Sequence, residues 1–227
     1  MNFHRTMTRE WLFDDRRDAG AQLAQQLAKF QDNVLVLGIP RGGVSVAAEV
    51  ARVLGAELDV IVARKLGAPF SPELAIGAVT ADGGRYLNVD AIAAYDIAGE
   101  YISEETHAQQ MEAGRREARF RAGRPAPEVR GRTVIIVDDG LATGATMLAA
   151  VRSVRNGAPA RVVVAVPVGS PSACAMLRPE VDELVCLSVP PWFGAVGEFY
   201  RDFRQIDDDE VIALLGAATV ARSAVVT

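Results

Sequence analysis

A doubly wound, parallel α/β sheet is the fold class that this sequence predicts, and three observations predict it. Short apolar runs of strand length, at residues 34–37, 58–63, 133–137, 162–166 and 184–187, alternate with helical patterns. That alternation is the order that generates parallel βαβ units. Two of the runs end directly in turns of Gly and other small residues that lead into helices. The chain has 227 residues, half of them hydrophobic, enough to bury both faces of a sheet. The reading is one domain over 1–227, with a core over about 30–190 and a hairpin–helix insertion over about 69–130.

Residues 14–30 read as an amphipathic helix, because Ala19, Leu23, Leu27 and Phe30 share one side. The strand at 34–37 runs into Gly38-Ile39-Pro40-Arg41-Gly42-Gly43, and a helix over 44–54 is stopped by Gly55. The strand at 58–63 is expected to end at Arg64-Lys65. Apolar residues around Asp82-Gly83-Gly84 signal a hairpin. A long, charged helix covers 103–122, closed by Gly123, Pro125 and Pro127. The strand at 133–137 precedes a helix over 145–155 that ends at Asn156-Gly157. Ser170-Pro171 has the form of a helix N-cap with Pro at the first position. After the strand at 184–187 come PPWFGAVGEFYRDF and a charged helix. The two chain ends are expected to build a small hood.

Composition excludes some classes. A net charge of -5 argues against a wholly basic, nucleic-acid-binding surface. No uncharged apolar stretch reaches the length of a membrane span. The charged N-terminus does not read as a signal peptide. Cys174 and Cys186 make no disulfide framework and have no metal-ligand spacing, so they read as reduced thiols of a cytoplasmic protein. His4 and His107 fit no metal or triad pattern and read as surface residues.

The chemistry is concentrated in VIIVDDGLATGAT, residues 134–146. Ligands of open parallel sheets bind beyond the carboxyl ends of the strands. Asp138 and Asp139 sit at such an end. Residues 142–146 then turn into a helix, whose first backbone N–H groups attract anions. Thr143 and Thr146 add hydroxyl donors. Two carboxylates repel phosphate but accept hydrogen bonds from sugar hydroxyls, so the run describes a ribose 5-phosphate site. No Gly-Lys-Ser/Thr follows, which excludes a P-loop. A receiver domain with paired acids on Mg²⁺ would have to begin near Thr133, which leaves too little chain for five βα units. An ordinary capped helix after a core strand accounts for one acid or one threonine, not the whole run.

Residues 134–146 resemble the PRPP-binding motif of type I phosphoribosyltransferases, and the likeness extends over roughly residues 34–187 through the GIPRGG, RKLGAP and DDGLATGAT elements. The resemblance implies that Asp138 and Asp139 hold the ribose hydroxyls. It implies that Ala142, Thr143, Gly144, Ala145 and Thr146 hold the 5-phosphate. Pro40, Gly42 and Gly43 become the pyrophosphate loop, which in this family often carries a non-proline cis peptide. Arg41 and Lys65 become the cations that act on pyrophosphate. The implied reaction joins a nitrogen acceptor, a nucleobase in the first instance, to C1 of PRPP. The implied cofactor is Mg²⁺, held mainly by PRPP oxygens and water, with Asp138 and Asp139 able to contribute through water. The alternative is a PRPP or nucleotide sensor with the same pocket, and water as acceptor is a third reading. The long charged helix carries Glu and Arg in alternation, which suits a solvated face or a homo-oligomer contact. An arginine in it, such as Arg119, could instead close over the leaving group. PPWFGAVGEFYRDF partly resembles the hood of the hypoxanthine–guanine enzymes. That likeness makes Trp192 and Phe193 candidates for stacking on an acceptor base, against the plainer reading of Trp192 as core.

Overall fold

A computed structural model of the chain describes residues 11–225. His4 lies outside them. Five strands form a parallel sheet in the order β2 (Glu57–Val60), β1 (Val34–Gly38), β6 (Thr133–Val137), β7 (Arg161–Val168) and β8 (Glu183–Ser188). The order reverses between β1 and β6. From β1 the chain steps outward to β2, and from β6 it steps the other way to β7 and β8. Such a switch point opens a crevice at the carboxyl ends of its two central strands.

Strand alternation divides the core into two layers. Val36, Ile135 and Val137 face α1 (Arg16–Leu27), α2 (Gly42–Leu54), α4 (Gly99–Arg121) and α7 (Asp208–Val225). Leu35, Leu37, Val134 and Ile136 face α5 (Ala145–Asn156) and α6 (Pro171–Leu177). Both layers are filled by wholly buried aliphatic side chains such as Leu23, Val50, Met147 and Val151, each worth about 1.5–3 kcal/mol of burial. Several boundaries follow local signals. Asp15 caps α1 by accepting from the Asp18 amide at 2.8 Å. Gly55 stops α2 in the left-handed region at φ 62. Ser170 caps α6 by accepting from the Ala173 amide, with Pro171 at the first position.

The second strand departs from expectation. Residues 58–63 read as one strand ending at Arg64-Lys65, but β2 ends at Val60 and a new strand, β3 (Ala63–Ala68), begins in a different sheet. The Ile61 amide still reaches Gly38 O at 3.1 Å. The next amide, of Val62, is taken by the Glu117 carboxylate of α4 at 3.0 Å instead of by a strand. The chain therefore leaves the parallel ladder there. Arg64 and Lys65 lie inside β3, opposite Val79 and Ala78. β3, β4 (Ser71–Thr80) and β5 (Arg85–Leu87) form an antiparallel sheet, which includes the expected hairpin at residues 80–85. Its core is Leu66, Ile76, Val79 and Ile97, under α3 (Val89–Ala94) and α4.

The hood joins the segment before α1 to the segment before α7. Phe13 and Tyr200 pair as a parallel bridge, with the Phe13 amide donating to Phe199 O and the Arg201 amide to Phe13 O. Phe193, Val196, Phe199 and Phe203 pack around this seam.

Candidate functional site at the sheet switch point

β1 and β6 pair in register, with Gly38 opposite Val137. The two turns that follow them therefore leave the sheet side by side and at the same height. Each leads into a helix whose first residue is capped by no side chain: Arg41 precedes α2 and Gly144 precedes α5. The first amides of a helix have no intrahelical acceptor, so two sets of amide donors, each at the positive end of a helix dipole, converge on one crevice.

The acids fill the floor of this crevice. Asp138 Oδ1 accepts from the Asp139 amide at 2.8 Å. The glycine loop lies directly against them. A Cβ on Gly42 would fall 1.9 Å from Asp139 Oδ2, and one on Gly43 would fall 2.8 Å from both Asp138 Cα and Val137 O. Gly42 and Gly43 are thus brought against Asp139 and Asp138, while the Arg41 guanidinium lies 3.7 Å from Asp208. The Pro40–Arg41 peptide is cis. Burial pushes the Asp138 carboxyl well above the usual range, and the neighbouring Asp139 charge pushes it further. Burial also raises Asp139, but the Arg16 guanidinium draws it back. The pair is thus asymmetric: Asp139 is the member held toward ionisation, and Asp138 the member that keeps its proton more readily.

Arg16 is a site residue that sequence reasoning missed. Its Nε donates to Asp139 Oδ2 at 2.8 Å, its Nη1 donates to Arg204 O at 2.8 Å, and its guanidinium lies 3.8 Å from the Phe203 ring centroid. Tyr200 closes the same corner, donating its hydroxyl to Asp139 O at 2.6 Å. A signal for Arg16 was present. It stands three residues before Ala19 and seven before Leu23, on the apolar stripe of α1, whereas its neighbour Arg17 is 81 % exposed.

The second loop is fastened from the other side. Leu141 donates to Val168 O and accepts from the Ser170 amide, and Ser170 Oγ donates to Ala142 O at 2.7 Å. Gly144 adopts φ 80, Ala142 and Thr143 are exposed, and Ala145 and Thr146 open the helix. The hood presses on this loop: a Cβ on Gly140 would meet Val196 Cγ1 at 2.4 Å. The cysteines lie beneath it, with both sulfurs close to Gly169. Burial pushes the Cys186 thiol up to about 12, and Cys186 Sγ donates to Ser188 O.

The remaining candidates are placed differently. Lys65 is exposed on β3, and among the described residues no hydrogen bond or ion pair joins it to the acids. Phe193 packs on Phe199 with centroids 5.2 Å apart. Trp192 is 89 % exposed, so the reading of it as core is wrong. The Pro190-Pro191 pair and Gly194 hold it on a turn outside the packed cluster. Most of α4 is exposed or half-buried, and its arginines also find partners. Arg116, Arg119 and Arg121 have partners within the chain, at Asp208, Asp208 and Asp59. His107 is exposed, as expected. Among the described residues no group of three or more His, Cys, Asp or Glu could hold a metal ion, and no helix is long and apolar enough to cross a membrane.

A family model described as "Phosphoribosyl transferase domain" matches residues 12–204, most of the chain. The chain belongs to the phosphoribosyl transferase family. It is 50 % identical over 208 residues to the Mycobacterium tuberculosis H37Rv protein named "Putative phosphoribosyl transferase Rv0571c", covering 91 % of this chain and 47 % of that protein. The chain thus spans about half the length of the curated relatives it matches. Among solved structures, TT1426 from Thermus thermophilus matches with a TM-score of 0.77 and 48 % identity, over 89 % of this chain and 97 % of that one. A hypothetical protein from Neisseria gonorrhoeae with bound ppGpp shares the fold, with a TM-score of 0.51 and 17 % identity over 91 % of this chain and 95 % of that one. The doubly wound parallel sheet expected from the sequence is the fold of this family.

Proposed function

We propose that this chain binds PRPP at the crevice between β1 and β6 and transfers its phosphoribosyl group to a nitrogen acceptor, a nucleobase in the first instance, releasing pyrophosphate. The observation that carries the reading is the register of Gly38 with Val137, which sets two uncapped helix N-termini around one acid pair. Two anion cradles flanking two hydroxyl acceptors match a ligand with a phosphate at one end, a pyrophosphate at the other and a diol between. In this reading Asp138 and Asp139 hold the ribose hydroxyls, and residues 142–146 hold the 5-phosphate. Pro40, Arg41, Gly42 and Gly43 hold the pyrophosphate, and Lys65 reaches the same group from β3. Trp192, exposed on the hood segment four residues before Val196, offers its indole face to an acceptor base.

The bond from C1 to the pyrophosphate oxygen breaks, the C1–N bond forms, and the acceptor's proton leaves for solvent. Aimed amides and guanidinium groups stabilise the charge that grows on the leaving oxygen. Mg²⁺ suits a site with only two carboxylates at hand, because it keeps several waters and takes few protein ligands. Asp138 and Asp139 would hold it through water, and when bound it would neutralise charge on the pyrophosphate. In this reading the chain works in cytoplasmic nucleotide metabolism. A PRPP sensor with the same pocket is the second reading.

The test is calorimetric titration with PRPP and Mg²⁺ alongside an assay of pyrophosphate release across a panel of bases and amines. Asp138→Asn and Asp139→Asn should each weaken PRPP by about tenfold or more, the worth of a hydrogen bond to a charged group, at an unchanged fold. Unaltered affinity in both variants would end the ribose assignment. Tight PRPP binding without release for any acceptor would favour the sensor.

A further inference from the structure

Asp208, in the first turn of α7, gathers three guanidinium groups. Arg119 Nη1 lies 2.9 Å from its Oδ2, and Arg116 Nη2 and Arg41 Nη1 lie 3.3 Å and 3.7 Å from its Oδ1. Arg116 and Arg119 are one turn apart on α4. Arg41 comes from the glycine loop after β1, so the cluster borders the amide cradle of α2. Asp209 is the only other carboxylate paired there among the described residues. It lies 4.0 Å from Arg119 with its side chain 91 % exposed, and so is largely screened by water. Three formal positive charges thus surround one half-buried negative charge, an excess that attracts anions. Arginine forks match phosphoryl oxygens as well as they match a carboxylate, and a phosphoryl group carries more charge.

We propose that Arg41, Arg116 and Arg119 form the subsite for the outer phosphoryl group of pyrophosphate, and that the Asp208 carboxylate stands in that subsite until the anion displaces it. This rests on reading the β1 loop as the pyrophosphate loop. The displacement needs no unwinding of α7, because the cap of that helix is a different residue. Asp207 Oδ1 accepts from the Glu210 amide at 2.8 Å, and Asp207 O accepts from the Val211 amide. Asp208 can turn away as a side chain while Asp207 keeps the helix end in place. Arg116 and Arg119 then become pyrophosphate ligands supplied from the segment between β3 and β6.

The experiment titrates the full chain with inorganic pyrophosphate and, separately, with ribose 5-phosphate, for the wild type, Asp208→Asn, Asp209→Asn and Arg119→Ala, each checked for its thermal midpoint. Asp208→Asn should bind pyrophosphate about tenfold more tightly, because the ligand no longer competes with an internal carboxylate. Asp209→Asn makes the same change in net charge and should shift affinity by less than about threefold, the scale of an exposed charge. Arg119→Ala should weaken pyrophosphate by about fivefold or more, the loss of one charge-assisted contact. Ribose 5-phosphate should be unaffected throughout. Equal tightening by Asp208→Asn and Asp209→Asn, or none by either, overturns the stand-in while leaving the PRPP reading intact. Failure of wild type and Asp208→Asn alike to bind pyrophosphate overturns both.

Discussion

Two glycine-bearing loops leave neighbouring strands at the same level and turn into uncapped helices, yet their glycines answer different constraints. In the loop after β1, Gly43 has no room for a side chain: backbone atoms Val137 O and Asp138 Cα lie 2.8 Å from where its Cβ would be. In the loop after β6, Gly144 has room, since a Cβ would meet Ala173 only at 3.4 Å. What it needs is φ 80, in the left-handed region. One loop is shaped by what it touches and the other by its own dihedral angles. The lesson is that a Gly-Gly and a Thr-Gly turn with the same proposed task should fail under different substitutions.

The most damaging change should be Gly43→Ala. Backbone cannot yield as a flexible side chain can, so overpacking of about 3 kcal/mol is expected. That corresponds to a fall of about 6–12 °C in thermal midpoint for a chain of this size, with pyrophosphate binding lost. A midpoint within a degree or two of wild type would break the comparison. Gly144→Ala should cost less, about 1–2 kcal/mol for a left-handed alanine. Gly144→Asn should recover part of that loss, because Asn tolerates this conformation, whereas Gly43→Asn should recover nothing. Melting the four variants side by side separates contact from dihedral. The smallest effect on stability belongs to Trp192→Ala, at most about 0.5 kcal/mol for so exposed a residue. If the hood serves only the β6 side of the crevice, this variant should bind pyrophosphate and PRPP normally. It should lose roughly 1–3 kcal/mol of purine-nucleotide affinity, by analogy with base stacking on single-stranded nucleic acids. A parallel loss of pyrophosphate affinity would erase the distinction between the loops.

The parts of this architecture that were legible in the sequence are those with local chemical punctuation. β6 is bounded by residues 131–132 and by the acid pair, and its limits match the apolar run at 133–137 residue for residue. Gly55 and Ser170-Pro171 act where their backbone preferences say they should. The break between β2 and β3 has no such mark. Val60, Ile61 and Val62 form an unbroken apolar run, and the chain turns because Glu117, more than fifty residues away, takes the Val62 amide. α3 was missed because Asn88 caps only six residues, too few for a helical period to show. The acids and both glycine turns were visible because the proposed phosphate and sugar chemistry calls for those residue types together. Tyr200 and Asp208 were not, because each acts on a partner far along the chain and looks like an ordinary core or surface residue in its own neighbourhood, and Arg16 left only its place on the apolar stripe of α1.

The Arg16 seam has a consequence for how the protein is made. Arg16 and Asp139 are made first, and Tyr200, Phe203 and Arg204 are added roughly 65 residues after Asp139. At ordinary elongation rates that is a delay of roughly 3–13 s. During that interval all five parallel strands are completed, since β8 ends at Ser188, while Asp139 still lacks the hydroxyl that holds its carbonyl and the carbonyl and aromatic ring that hold its arginine. Until Tyr200 is added, the Asp139 corner of the crevice is therefore unfinished. Ligand capture would then wait on the hood, and a nick in the hood would undo it.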